Sequence, residues 1–282
     1  MTKSTKHSRL SIIVPSLNQG HFIEETLLSI LNQRGVDREE FEIIVIDGGS
    51  EDGTREVLNR FGDSLDYCVS EPDKGQTDAL RKGFAVATGD ILGWLCADDL
   101  LTPGAVREVL DHFAAFPNDA FIYGDAIWID RNGNPCRLKR EIPFNWFIWL
   151  HDHNYIPQPS AFWRTELYNL AGGVDVGFNL AMDGDLFARF AQRQRPRHVR
   201  RIWSLIRQYP EQKNQRLRVV SDYEDGLIRK RLGATLRTGA LGQAQYLLAK
   251  TIRIGWKFLL AGYLPVALVR RMRCRLERQS VA

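Results

Sequence analysis

"LSIIVPSLNQGHFIEETLLSILNQ" (residues 10–33), followed by "FEIIVIDGG" (residues 41–49), decides the fold class. Leu10 to Val14 is an unbroken apolar run that stops at Pro15, as a short buried strand would. Phe22, Ile23, Thr26, Leu27, Ile30 and Leu31 then recur at the spacing of one helix face, and a second apolar run follows. The unit is strand, helix, strand.

The alternation continues. "GTREVLNRF" reads as helix, "LDYCVS" as strand, "GQTDALRKGFAVA" as helix and "DILGWL" as strand. Pro103 sits near a first helical turn, and Val106, Val109, Leu110 and Phe113 mark the buried face of that helix. "DAFIYGDAIWID" adds one or two strands. Such a pattern implies a mostly parallel sheet covered on both faces, with ligands gathering beyond the carboxyl ends of its strands. Those ends are Pro15 to Gly20, Asp47 to Asp52, Glu71 to Gly75, and Asp98-Asp99. "RNGNP" reads as a turn, the aromatic-rich segment after it as one wall of a pocket, and "LAMDGDLFARFAQR" as a helix.

At 282 residues, 44% hydrophobic and 26% charged, the chain can fold as a catalytic domain with a helical appendage. The expected division is 1–213 for the catalytic domain and 214–282 for a basic, partly amphipathic extension. From Arg229 onward there are 12 Lys or Arg against the single acid Glu277, a net +11, while residues 1–228 carry −7. That asymmetry suits nucleic acid or an anionic membrane surface through the same long-range field, and no nucleic-acid reading module accompanies it. The longest uncharged run of the tail, Phe258 to Val269, has 12 residues, short of the roughly 20 that span a bilayer. An interfacial helix bearing Lys250, Arg253, Lys257 and Trp256 is the expectation, alongside helices packed on the core or on another chain.

Four scattered cysteines and no CxxC pair suggest buried thiols in a reducing compartment. No GxGxxG, GxxxxGK or GxSxG pattern occurs, which removes dinucleotide, P-loop and nucleophile-elbow chemistry. The cluster His151, Asp152, His153 lacks further ligands at metal-site spacing. Carboxylates after a strand, as at Asp98 and Asp99, suit Mg²⁺ or Mn²⁺, although neighbours on a continuing strand point to opposite faces.

Taken together, "SIIVPSLNQGHFIEETLLSILNQ", "FEIIVIDGGSEDGT", "SEPDKGQTDALRKGFAVATGDILGWLCADDLLTPGA" and "FNLAMDGDLFARF" resemble the inverting, nucleotide-sugar-dependent family 2 glycosyltransferases of GT-A fold, over about residues 9–213. The resemblance implies a mostly parallel central sheet flanked by helices, with a C-terminal helical extension. It implies sugar transfer from a nucleoside-diphosphate sugar, a UDP-sugar being favoured, to a glycan or lipid-linked acceptor in polysaccharide or glycolipid assembly, with Mg²⁺ or Mn²⁺. It assigns Pro15 and Asp47 to the base, Asp73 and Gln76 to the nucleotide side, Asp98 to ribose or sugar hydroxyls and Asp99 to the metal. Asp183 matches the catalytic base, with Asp185 as the alternative. Arg207 or Lys213 would neutralise phosphate, because Tyr209 stands where many members have His. Trp146, Trp149 and Trp163 are acceptor-side candidates or core.

The expected location is cytoplasmic, with peripheral attachment to the inner face of the plasma membrane, and a homo-oligomer is compatible with the sequence. A nucleotidyltransferase and a non-catalytic nucleotide-sugar or membrane-binding module are the competing functions.

Overall fold

The computed structural model describes residues 8–235 and 239–259. Its first strand, β1 (Leu10–Ser16), pairs in parallel with β2 (Phe41–Asp47), in the register Leu10 to Phe41 through Ser16 to Asp47. Between them runs α1 (Ile23–Leu31). Then come α2 (Thr54–Arg60), β3 (Tyr67–Ser70), α3 (Gln76–Val86) and β4 (Ile91–Trp94), so that β3, β2, β1 and β4 lie side by side and parallel.

The second half is mixed rather than parallel. A two-residue strand β5 (Leu100–Leu101) precedes α4 (Ala105–Ala115), and the next apolar stretch is one long strand, β6 (Phe121–Ile129). "RNGNP" is the predicted turn: Asp130 accepts hydrogen bonds from the amides of Asn132 and Asn134, Gly133 takes φ 80°, and β7 (Pro135–Lys139) folds back on β6. After α5 (Trp146–His151), β8 (Ala161–Arg164) enters antiparallel to both β4 and β6. There follow α6 (Thr165–Ala171), α7 (Met182–Arg193) and β9 (Arg197–Arg207), an 11-residue strand parallel to β6 and antiparallel to β5. Short α8 (Lys213–Arg216), then α9 (Arg218–Arg231) and α10 (Ala240–Leu259), complete the described chain.

Both sheet faces are covered. Ile12 and Val14 of β1 join Leu27 of α1, Val57 of α2 and Val109 of α4 on one face. Ile13 joins Phe84 of α3, Trp149 of α5, Phe187 of α7 and Ile228 of α9 on the other. This is the period-two alternation of a strand buried on both sides. On α3, Gly83 lets the helix lie against β1, since a β-carbon there would sit 2.5 Å from Ile13 Cγ2. Gly83→Val is expected to cost about 1–3 kcal/mol by overpacking, read as a lower midpoint in thermal unfolding.

The C-terminal helix α10 is bound to the rest of the chain through buried charges. Lys257 of α10 lies 2.8 Å from the carboxylate of buried Glu141, and Arg253 pairs with Asp152. Trp256 is half-buried and packs against the core. The expectation that Arg253, Lys257 and Trp256 face a membrane is thereby corrected: they turn inward because carboxylates and apolar surface await them. The opposite face exposes Leu241, Leu247, Leu248, Phe258 and Leu259. Much of the apolar run to Val269 lies outside the described residues. Cys68 and Cys136 are exposed, not buried as expected. Among the described residues no helix is long and apolar enough to cross a membrane.

Candidate functional site

The loops after β1 and β2 hold each other. Asn18 adopts φ 53°, its amide donates to Ser50 Oγ at 2.7 Å, and its own Oδ1 accepts from the Glu51 amide at 3.0 Å. The Gln19 amide donates to Thr54 Oγ1 at 3.0 Å, and the Gly48 amide to the carbonyl of Ser16 at 2.8 Å. Short polar residues and glycines predominate because these loops satisfy their backbone groups with side chains. Pro15 ends up buried within β1, one residue before that turn.

Asp47 is fully buried beneath the second loop. It accepts from the Ser50 amide at 2.9 Å and from the hydroxyls of Ser50 and Ser70 at 2.5 and 2.6 Å. Three of its roughly four acceptor positions are therefore engaged, which makes it a brace for the loop. Asp73 leans over Gly48, where a β-carbon would lie 2.8 Å from Asp73 Oδ2, so a larger residue there would displace that carboxylate. Its other oxygen accepts from the Gly75 amide at 2.7 Å, just before α3. Gln76, opening that helix, donates to Cys96 Sγ at 3.4 Å and so ties the start of α3 to the acid loop.

β4 ends at Trp94, so Asp98 and Asp99 lie in a turn closed by the Asp99 amide on the carbonyl of Cys96 at 2.9 Å. The alternation of a strand no longer separates them. One ligand atom each from Cys96, Asp98 and Asp99 falls within 4.8 Å of the others. Asp99 is buried, and its Oδ1 accepts from the Arg207 amide at 2.8 Å. Asp98 is more open; its Oδ2 accepts from the Tyr209 hydroxyl at 2.9 Å and from Gln212 Nε2 at 3.1 Å. Each carboxylate keeps an oxygen that no hydrogen bond named here uses.

Burial and the neighbouring Asp98 push the Asp99 carboxyl well above the usual range, outweighing the Arg207 amide and charge that pull it down. Oxygen donors of this charge suit Mg²⁺ or Mn²⁺, and such a cation would relieve the crowding of two acids. The thiol is a soft donor and adds little for either ion. The residues present fit the cation.

Arg207, expected to neutralise phosphate, is engaged by groups of the protein itself. It is buried, with its guanidinium donating to the carbonyls of Asp98 and Arg131, both at 2.8 Å, and to Glu25 at 2.5 Å. Its task is to hold the acid loop. Lys213, the alternative, lies at the surface and donates to the carbonyl of Asn179 at 2.8 Å; partial desolvation of its ammonium lowers its pKa, and Glu224, Cys96 and Asp73 act in the other direction. Tyr209 reaches the site as a donor to Asp98.

Asp183 stands in the first turn of α7. Its carboxyl is pushed up to about 6 by burial, against the amides of Gly184 and Asp183 and the charge of Lys139, while Asp225 adds to the rise. Asn154 donates to Asp183 Oδ2 at 3.1 Å, with its own Oδ1 held by the Ile156 amide at 3.1 Å. Asp185 is committed elsewhere, to Arg189 at 2.5 and 2.9 Å. Cys96 relates the two halves: burial raises its thiol pKa, and Asp99, Asp98 and Asp183 all raise it further. The charge of the α7 carboxylate is thus felt at the acid loop.

Of the tryptophans, Trp149 and Trp163 lie fully inside the core, Trp163 among Phe84, Trp94 and Phe190, so they fill volume and do not face a sugar. Trp146 is half-buried and stacks on Trp149 with ring centroids 5.6 Å apart. Sequence reasoning missed Asn154, Gln158 and Glu224. Gln158 donates to the Trp94 carbonyl at 2.7 Å and lies beside Cys96.

The family model described as glycosyl transferase family 2 matches residues 11–176. An uncharacterized glycosyltransferase of Mycobacterium tuberculosis is 31% identical over 188 residues, covering 66% of this chain and 70% of its own. A PGL/p-HBAD biosynthesis glycosyltransferase of the same organism is 32% identical over 190 residues, covering 64% and 68%. Among solved structures, S. aureus TarS 1-349 in complex with UDP-GlcNAc superposes with a TM-score of 0.61 at 15% identity, over 86% of this chain and 79% of that one. The mannosyltransferase PcManGT from Pyrobaculum calidifontis, in complex with GDP-Man and Mn²⁺, gives 0.60 at 18% identity, over 96% and 81%. These last two likenesses carry the fold. With its mixed, helix-covered sheet of GT-A type and the matched segment spanning more than half its length, the chain belongs to glycosyl transferase family 2.

Proposed function

We propose that the protein transfers a sugar from a nucleoside-diphosphate sugar, a UDP-sugar being favoured, to an acceptor hydroxyl in one inverting displacement, within polysaccharide or glycolipid assembly. The observation that carries this is the cluster of Asp98 and Asp99 beside Cys96, one ligand atom of each lying within 4.8 Å of the others. Residues 1–213 are assigned the chemistry, with 214–282 as the extension.

In this reading the loops holding Pro15 and Asp47 shape the base subsite, and Asp73 and Gln76 line the nucleotide side. Asp98 and Asp99 hold Mg²⁺ or Mn²⁺, Asp98 being the more open. When bound, that cation supplies charge to offset the diphosphate leaving group. Lys213, whose charge is felt by Cys96 and Asp73, adds a positive charge near the acid loop. Asp183 accepts the acceptor's proton as its oxygen attacks the anomeric carbon. Asp185 is excluded from that part by its pairing with Arg189. The relatives that bear on this are TarS, solved with UDP-GlcNAc, and PcManGT, solved with GDP-Man and Mn²⁺.

Calorimetry with UDP-, GDP- and dTDP-sugars, with and without Mn²⁺, tests the assignment. Cation-dependent binding of one class is expected; a folded sample that binds none of them contradicts it.

We further propose peripheral attachment to an anionic membrane on the cytoplasmic side. Supporting it are the exposed apolar face of α10 and the basic residues beyond residue 228 other than Arg253 and Lys257, which are spent on Asp152 and Glu141. Flotation with phosphatidylserine-containing vesicles is expected to carry the whole chain upward and to leave a Leu247→Glu, Leu248→Glu double variant below. Equal recovery of the two at the bottom would remove the proposal.

A further inference from the structure

The loop Asn179 to Ala181 leads directly into α7 and sets the position of that helix's first turn. Ala181, at the helix boundary, has no side chain that caps it. Three successive amides of the loop, those of Asn179, Leu180 and Ala181, point instead at one carboxylate, at 2.8, 2.8 and 2.9 Å. That carboxylate is Glu224 of α9, buried, and it lies beyond the segment that the family model matches.

Concave runs of backbone N–H groups bind anions, and a carboxylate at a helix start also complements the helix dipole. Here the anion is part of the same chain, supplied by the C-terminal extension. The loop is held from its other side too: Thr77 of α3 donates to the carbonyl of Phe178 at 2.5 Å, and Lys213 to that of Asn179 at 2.8 Å. Ile228, one turn further along α9, lies 3.8 Å from where a β-carbon on Gly184 would be, so α9 also packs beside the residue after Asp183.

We propose that Glu224 is a positioning residue for the base on α7, making the C-terminal extension a part of the catalytic unit. This rests on the assignment of Asp183 as that base. Glu224 touches neither donor nor acceptor; it acts by fixing the loop from which α7 starts. Gln would be a poor replacement despite its shape, because its amide nitrogen would turn N–H groups toward N–H groups.

The test compares wild type with Glu224→Gln, Glu224→Asp and Asp183→Asn in the full chain. Turnover is read as nucleotide release by slow hydrolysis from whichever UDP-, GDP- or dTDP-sugar binds by calorimetry. Glu224→Gln is expected to lower kcat by about 10²-fold, the effect of a misplacement on the order of 1 Å, with donor Kd unchanged. Hydrogen exchange at residues 179–181 should quicken in the same variant. Glu224→Asp, which keeps the charge, is expected to fall between the two in kcat.

A folded Glu224→Gln with wild-type kcat overturns the proposal. So does a lower thermal midpoint with kcat per folded molecule unchanged, which is what a merely structural role gives. If Glu224→Gln does not fold, wild-type kcat in Glu224→Asp together with faster exchange at 179–181 overturns it. Should Asp183→Asn retain turnover, the base assignment fails instead, independently of what Glu224 does.

Discussion

Asp183→Asn is expected to lower kcat by about 10²–10⁴-fold while leaving donor affinity near wild type, since it removes proton acceptance and little else. The variant keeps the shape of the side chain and a hydrogen-bonding partner for Asn154. Its fold should be intact, and the direction of its stability change can be stated in advance. A carboxyl pushed up to about 6 in the folded protein, from about 3.8 in an unfolded chain, makes its ionised form a cost that appears as pH rises through that window. At pH 7.5 the Asn variant should therefore melt at or above the wild-type temperature. The same carboxyl sets the pH profile of the wild type: kcat rises with pH through about 6 as the base loses its proton, and Asp183→Asn lacks that limb. Near-normal turnover in the variant would reassign the base.

The second large effect is expected at Asp98. Asp98→Ala should abolish the stimulation of donor binding by Mn²⁺ and lower kcat by about 10²–10³-fold, the scale of losing one group that stabilises transition-state charge. Asp98 is the cleaner choice for this experiment. Replacing Asp99 would also strand the buried amide of Arg207, so that a fold defect and a lost ligand would be confounded. Titration of Mn²⁺ into the wild type and Asp98→Ala, each with UDP present, checks it. Unchanged cation dependence in Asp98→Ala would move the cation site elsewhere.

What the sequence discloses and what it conceals divide along a physical line. The end of β2 at Asp47 was legible, and the ends of β1 and β4 to within a few residues of Pro15 and Asp98, where an apolar run meets proline, glycine or acid, because that punctuation is local. The covered sheet followed from the alternation of strand and helix, and the course of the chain through α7 from the face bearing Leu186, Phe187 and Phe190. The antiparallel entry of β8 was not legible: a four-residue strand carries no mark of its direction.

Site chemistry was legible in residue type and concealed in partnership. Arg207 looks like a phosphate ligand in a string of letters, yet its backbone amide meets Asp99, 108 positions away, and its guanidinium is consumed by Glu25 and two carbonyls. Glu224 lies in a polar helix with no motif about it, and only the folded chain brings it under three amides. The tryptophans show the same limit, since Trp149 and Trp163 are apolar bodies whose burial is decided by what packs around them. Arg253 and Lys257 have the sequence character of interfacial cations and turn out to be anchors, because Asp152 and Glu141 face them from elements about 100 positions earlier.

One measurement bears on all of these assignments together: a crystal structure with a non-hydrolysable nucleoside-diphosphate sugar and Mn²⁺, with the ion located by its anomalous scattering. The expected map has the manganese peak against the carboxylates of Asp98 and Asp99 and touching the diphosphate, with the sugar's anomeric carbon turned toward Asp183. A nucleotide bound away from the acid loop, or a sugar whose reacting face is closed off from Asp183, would contradict it.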